Sequence, residues 1–90
     1  MVSLFKITDD RTGVVTYRLF DRQRFISPEY SDLTQLEADY SGYAPFPNPA
    51  DVKKTIYNPN GSIMYYNINW YGYIIEEKNN GGEFVGVSRS

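Results

Sequence analysis

The chain contains no cysteine and no histidine among its 90 residues. Without cysteine it has no disulfide framework, no thiolate nucleophile and no zinc site of the usual sulfur type. Because disulfides are missing, a reducing compartment is favoured, and the cytoplasm is the expected location. The absence of histidine removes the commonest general base, so the composition argues against an enzyme.

Long apolar runs and an excess of basic charge are also missing. The start, Met1 to Lys6, lacks the apolar run of a signal peptide, and no stretch approaches the roughly 20 apolar residues that span a bilayer. The net charge of −2 gives no broad basic surface for nucleic acid and too little acidity to imitate a phosphate backbone. We therefore expect no membrane partner. Since the net charge favours no class of partner, local groups of charged residues are considered instead.

Aromatic residues are what the sequence has in excess: nine tyrosines, five phenylalanines and one tryptophan. With 41% hydrophobic and 22% charged residues, they indicate an ordered globular protein. The length fits one compact domain, residues 1–90, which buries only about 60 to 65% of the surface that its unfolded chain exposes. This aromatic content predicts that part of the aromatic surface contacts a partner.

Three pairs of β-rich segments predict hairpins. The pairs are residues 2–7 with 14–20, 52–57 with 62–70, and 73–78 with 83–87. The sequences between them, among them Asn58-Pro59-Asn60-Gly61, are typical of tight turns. In the first pair, Phe5 and Ile7 share a face of the first segment, and Val15, Tyr17 and Leu19 share a face of the second. We expect both faces to look into the core.

One helix is predicted over residues 33–40. Asp32 is a suitable N-cap, with Gln35 three positions later in a capping-box spacing, and Gly42 suits a left-handed stop. The proline-rich residues 43–49 predict a stiff, extended connector.

Phe46, between two prolines of this connector, is either an exposed plug for a partner's pocket or a core residue, and we favour the core. The predicted fold class is α+β: a small antiparallel sheet, made of an N-terminal hairpin and a C-terminal meander of three to four strands, with one short helix packed on it.

The strand predicted over residues 62–70 carries a candidate binding face. Met64, Tyr66, Ile68 and Trp70 fall on one face, which we interpret as the core side. The other face mixes tyrosine with asparagine, which provide rigid contact area and adaptable hydrogen bonding. The predicted protein-binding residues here are Tyr65, Asn67, Asn69, Tyr71 and Tyr73. Alternatively, these tyrosines only stabilise an exposed sheet face through cross-strand pairs.

A second candidate surface is acidic. Residues 25–51 contain five acids and neither lysine nor arginine. The predicted contact residues are Glu29, Asp32, Glu37 and Asp39, which would dock on a basic groove and accelerate association by steering. The competing interpretation is a solvated helix face with acids near its positive end.

Three arginines, Arg18, Arg22 and Arg24, cluster around the end of the second strand. Beside nearby aromatics they suit single-stranded nucleic acid, where bases stack on rings and guanidinium groups hold the backbone. Asp21 interrupts the cluster and no ribonucleoprotein motif is present, so we favour salt bridges to the acidic helix and place nucleic acid behind a protein partner.

Paired acids form no convincing catalytic site. Glu76 and Glu77 are adjacent on a strand and point to opposite faces. Asp9 and Asp10 are ordinary turn residues, and their loop lacks the later glutamate of a calcium loop. We predict no metal, no cofactor and no enzymatic activity.

The favoured hypothesis is a small non-catalytic module that binds another protein and inhibits or adapts it. In size and acidity the chain is comparable to small inhibitors such as immunity proteins and phage-encoded antagonists of host enzymes or defence systems; the analogy is one of type, and no motif carries it. A phage-encoded antagonist would act in the host cytoplasm. The alternatives are a single-stranded nucleic-acid binder and a structural subunit that pairs sheet edges with copies of itself.

Overall fold

The structure, a computed structural model, describes residues 2–22, 24–57, 62–67, 73–77 and 84–89. In these residues the chain forms seven strands, one α-helix and one short 3-10 turn. The elements are β1 Ser3–Asp9, β2 Val15–Asp21, β3 Arg24–Phe25, α1 Leu33–Asp39, the 3-10 turn Ser41–Tyr43, β4 Ala50–Tyr57, β5 Ser62–Asn67, β6 Tyr73–Glu77 and β7 Phe84–Arg89. The α+β class is confirmed.

The described strands form one sheet in the order β3-β2-β1-β4-β5-β6-β7. The three predicted hairpin pairings, β1 with β2, β4 with β5 and β6 with β7, are all antiparallel and are confirmed. The prediction of a purely antiparallel sheet is wrong, because β1 and β4 are parallel, with Ile7 opposite Val52. The segment that contains α1 carries the chain back along the sheet, so that β4 enters beside β1 in the same direction.

Two residues separate β2 from the short strand β3, which the sequence did not predict. Asp21 lies opposite Arg24 in the register. Arg22, at the tip, has a φ of +52°, in the left-handed region that the two-residue hairpin turns require and that Asn or Gly usually occupies.

Both faces of the β1–β2 hairpin are packed, each in a different cluster. The first cluster contains Phe5, Ile7, Phe20, Phe25, Val52, Ile63 and Tyr65. The second contains Leu4, Leu19 and Leu36, with partly buried residues around them. Leu4 is opposite Leu19 and Phe5 is opposite Arg18, so the two predicted apolar faces do reach a core, but on opposite sides of the sheet.

The sheet curls around the first cluster. The ring centroids of Phe25 on β3 and Tyr65 on β5 are 4.6 Å apart, although β2, β1 and β4 lie between those strands in the sheet order. Only a curved sheet brings such distant strands together.

Helix α1 begins as predicted and ends differently. The Asp32 carboxylate accepts a hydrogen bond from the Thr34 N–H at 2.9 Å, which confirms the N-cap. The Gln35 side chain instead donates to Asp39 at 2.9 Å. Gly42 lies in the 3-10 turn and does not take a positive φ, so the predicted left-handed stop is wrong.

The connector after α1 returns to the second cluster. Phe46 is half-buried and packs against this cluster, which confirms its predicted core role. Tyr43, three residues earlier, remains 44% exposed. The connector therefore carries one half-buried aromatic residue, Phe46, and one exposed aromatic residue, Tyr43.

Candidate interaction surface

The predicted binding face of β5 is reversed at its centre. Tyr65 is 0% exposed and Ile63 is 8% exposed, whereas Met64 and Tyr66 are half-buried. The strand alternates as predicted, but the tyrosine face is the one that enters the first cluster. The prediction that Tyr65 is an exposed contact residue is therefore wrong.

A buried arginine explains why Tyr65 can lie inside. Arg18 is 2% exposed and its Nη1 donates to the Tyr65 hydroxyl at 2.9 Å. Its Nε donates to the Ser27 carbonyl at 2.9 Å, and its guanidinium lies 4.0 Å from the Phe25 ring centroid. A tyrosine is buried at low cost when its hydroxyl has such a partner.

The same contacts remove Arg18 from the predicted nucleic-acid patch. A guanidinium that is hydrogen-bonded and buried under aromatic rings cannot reach a phosphate backbone. Arg22 and Arg24 remain exposed, so the predicted group of three separates into one core residue and two surface residues.

The other residues of the predicted tyrosine-asparagine face are less well described. Asn67 and Tyr73 lie opposite one another on β5 and β6, but the structure does not describe their side chains. Asn69 and Tyr71 lie outside the described residues. A binding role for these four stays a prediction.

Glu29 belongs to an ion-pair network between β1, β2 and β4. Its carboxylate accepts from Lys54 Nζ at 2.7 Å and from Thr16 Oγ1 at 2.9 Å. Lys54 Nζ also lies 3.9 Å from Asp9. The backbone N–H of Arg11 lowers the pKa of Asp9, with Lys54 as a smaller cause. The Glu29 carboxylate is thus bonded to two residues of its own chain, and its predicted contact with a partner stays a prediction.

The acids of α1 remain at the surface. Asp32 and Asp39 are exposed, and Glu37 is half-buried. Asp39 accepts from the Tyr30 hydroxyl at 2.7 Å, and this bond raises the pKa of Tyr30 to about 12. The helix segment therefore presents carboxylates beside a tyrosine. Two of these carboxylates, Asp32 and Asp39, also accept hydrogen bonds from their own chain.

Three tyrosines form a row beside this acidic helix. The ring centroids of Tyr30 and Tyr40 are 6.1 Å apart in an edge-to-face arrangement, and those of Tyr40 and Tyr43 are 6.2 Å apart. The tyrosine row, Tyr30, Tyr40 and Tyr43, starts at Asp39 and ends at the exposed Tyr43. Sequence reasoning missed it because Tyr30 lies outside the named strands, Tyr40 caps α1 and Tyr43 lies in the 3-10 turn, so no single periodicity connects them.

Tyr43 also lines two adjoining depressions, which share it and Asp21. The first, of about 550 Å³, is lined by Asp21, Arg22, Arg24, Ile26 and Tyr43. The second, of about 600 Å³, is lined by Val2, Asp21, Tyr43, Pro45, Phe46 and Pro47. We call the two depressions together the groove. The described residues thus bring three features together around Tyr43: the tyrosine row, two exposed arginines, and an apolar bed formed by Pro45, Phe46 and Pro47.

Within the described residues, no group of three or more acids is placed to hold a metal ion, and none of their helices has the length and apolar character needed to cross a bilayer. Comparison with protein-family models, with curated proteins and with solved structures finds no match.

Proposed function

We propose that the protein is a non-catalytic module that binds another protein through the tyrosine row and the acids of the α1 segment, and that it inhibits or adapts this partner. The observation that carries the proposal is the position of Tyr43. It is 44% exposed, it continues a row of packed tyrosines, and it lines both parts of the groove.

Tyrosine suits this role for an energetic reason. A tyrosine side chain has few rotatable bonds, so ordering it on binding costs little entropy, while its ring and hydroxyl provide both apolar area and a hydrogen bond. Tyr43 is further held by its contact with Tyr40. Preorganised aromatic residues of this kind are typical anchors of protein interfaces.

The acids of the α1 segment indicate the charge of the partner's surface that would contact Tyr43. Asp32, Glu37 and Asp39 lie on a helix at whose C-terminal end the tyrosine row continues. A partner with a basic groove opposite them would associate faster and in a defined orientation. Such charges act on the rate and specificity of association more than on its final strength.

The inhibiting or adapting action follows from the charge of the proposed contact surface. An acidic domain that covers a basic groove prevents the natural ligand of that groove from binding, in the manner of small inhibitors that act in the cytoplasm. This similarity is one of type and supports the proposal only as an analogy.

Affinity capture with two matched variants tests the proposal. Val14 is the other large apolar residue that is strongly exposed among the described residues, at 57%, and it lies next to Gly13 at the β1–β2 turn. We expect the Val14→Ser variant to retain the partner that the wild type captures from cells of the source organism, and Tyr43→Ser to lose it. If both variants retain every captured protein, the proposed surface is wrong.

A further inference from the structure

We propose that the groove binds an extended peptide segment of the partner in which acidic side chains stand next to apolar ones. This inference rests on the proposed function and extends it from one anchor to a ligand class. The apolar half of the groove is formed by the connector after α1, and the other half by the tip of the β2–β3 hairpin.

Charge complementarity identifies the acidic part of the ligand. Arg22 and Arg24 are exposed, and neither side chain forms a hydrogen bond or an ion pair with any described residue. By contrast, Arg18 and Lys54 are both engaged within the chain. Two exposed guanidinium groups at the rim of a depression offer bidentate donors that match carboxylates.

The backbone supports the same assignment. Arg22 occupies a left-handed conformation, with φ of +52°, that is unfavourable for an ordinary side chain. Turn tips of this kind usually carry Asn or Gly. A strained residue at an exposed site is a reason to look for function there, and here the strain presents a guanidinium group at the rim of the groove.

The apolar bed identifies the rest of the ligand and disfavours nucleic acid. Pro45, Phe46 and Pro47 form a wall with Tyr43, which suits apolar side chains. Asp21 lines both depressions, and Asp39 lies at the other end of the tyrosine row. A continuous polyanion would have to pass these carboxylates as well as the arginines, whereas a peptide can place its few acids opposite the arginines alone.

The experiment pans a random-peptide display library on the immobilised full-length protein and measures the selected peptide, fluorescently labelled, by anisotropy. We expect acidic residues next to apolar ones to be enriched. The double variant Arg22→Asn/Arg24→Gln should raise the Kd of that peptide at least about tenfold. The matched double variant Lys6→Gln/Lys53→Gln removes two charges outside the groove and should change the Kd by less than about twofold.

Several results would overturn this inference. They are a failure to enrich peptides, enrichment without acidic residues, and equal binding to both double variants. Oligothymidylate binding that Arg22→Asn/Arg24→Gln abolishes would assign the groove to single-stranded nucleic acid, and a dimer lost in the same variant on sedimentation would assign it to a second copy. If capture depends on Tyr43 while the arginine variant still binds the peptide, the proposed function stands and only the inference fails.

Discussion

At the scale of single residues, the Arg18–Tyr65 pair determines which face of β5 is buried. Alternation along residues 62–67 was predictable, because a strand has a period of two. The choice of face was not, because it depends on an arginine 47 positions earlier in the chain that supplies the tyrosine hydroxyl with a buried partner. Long-range polar pairing of this kind leaves no local pattern in a sequence.

Tyr65→Phe should lower the free energy of unfolding by about 1.5 to 3 kcal/mol, since it removes a buried hydrogen bond to a charged group. Tyr66→Phe is the matched control. It removes the hydroxyl that donates to Asp10 at the surface and should cost less than about 1 kcal/mol. Urea denaturation measures both, and equal losses would contradict the assignment of Tyr65 to the core.

Arg22→Asn should raise the free energy of unfolding by about 0.5 to 1 kcal/mol, because Asn adopts a positive φ with less strain than Arg. Arg24→Asn is the control, since it lies on a strand where Asn is unfavourable and should give no gain. Thermal unfolding compares the two. A destabilised Arg22→Asn variant would show that the Arg22 side chain holds the hairpin tip by itself.

At the scale of elements, α1 depends on its packing. Seven residues are too few for a helix that is stable alone, and Leu36, at 0% exposed, is the buried contact of α1 with the second cluster. The N-cap and the start of this helix were predictable from local sequence. The parallel pairing of β1 with β4 was not, because register between distant strands is set by which faces meet in the core.

Leu36→Ala should cost about 2 to 5 kcal/mol, as expected for a large buried side chain that leaves a cavity. Leu33→Ala, at a half-buried position of the same helix, should cost clearly less. Circular dichroism during urea unfolding reports both. If Leu33→Ala were the more damaging of the two, the described packing of α1 on Leu4 and Leu19 would be wrong.

At the scale of the whole molecule, tyrosine hydroxyls bonded to carboxylates connect separate segments of the chain. Because these hydroxyls ionise at alkaline pH, the free energy of unfolding should fall there. The bond to Asp10 raises the pKa of Tyr66 to about 12, from an ordinary value of 10.0. The unfolded chain loses this proton first. The stabilisation is therefore fully present below about pH 10 and disappears as the pH rises toward about 12.

Urea unfolding of the wild type and of Tyr66→Phe at several pH values measures this effect. The difference in free energy of unfolding between the two proteins should be constant from about pH 7 to pH 9 and should shrink as the pH approaches about 11.5. A difference that stays constant over the whole range would mean that the bond between Asp10 and Tyr66 does not form in solution.

Site-specific photocrosslinking in cells shows whether Tyr43 contacts a partner protein, as proposed above. A photoreactive phenylalanine is placed at position 43, or at position 14 as a control that is more exposed, at 57% against 44%, and the cells of the source organism are irradiated. We predict a discrete adduct with one polypeptide from position 43 and none from position 14. No adduct from position 43, or the same products from both positions, would mean that Tyr43 does not contact a partner protein.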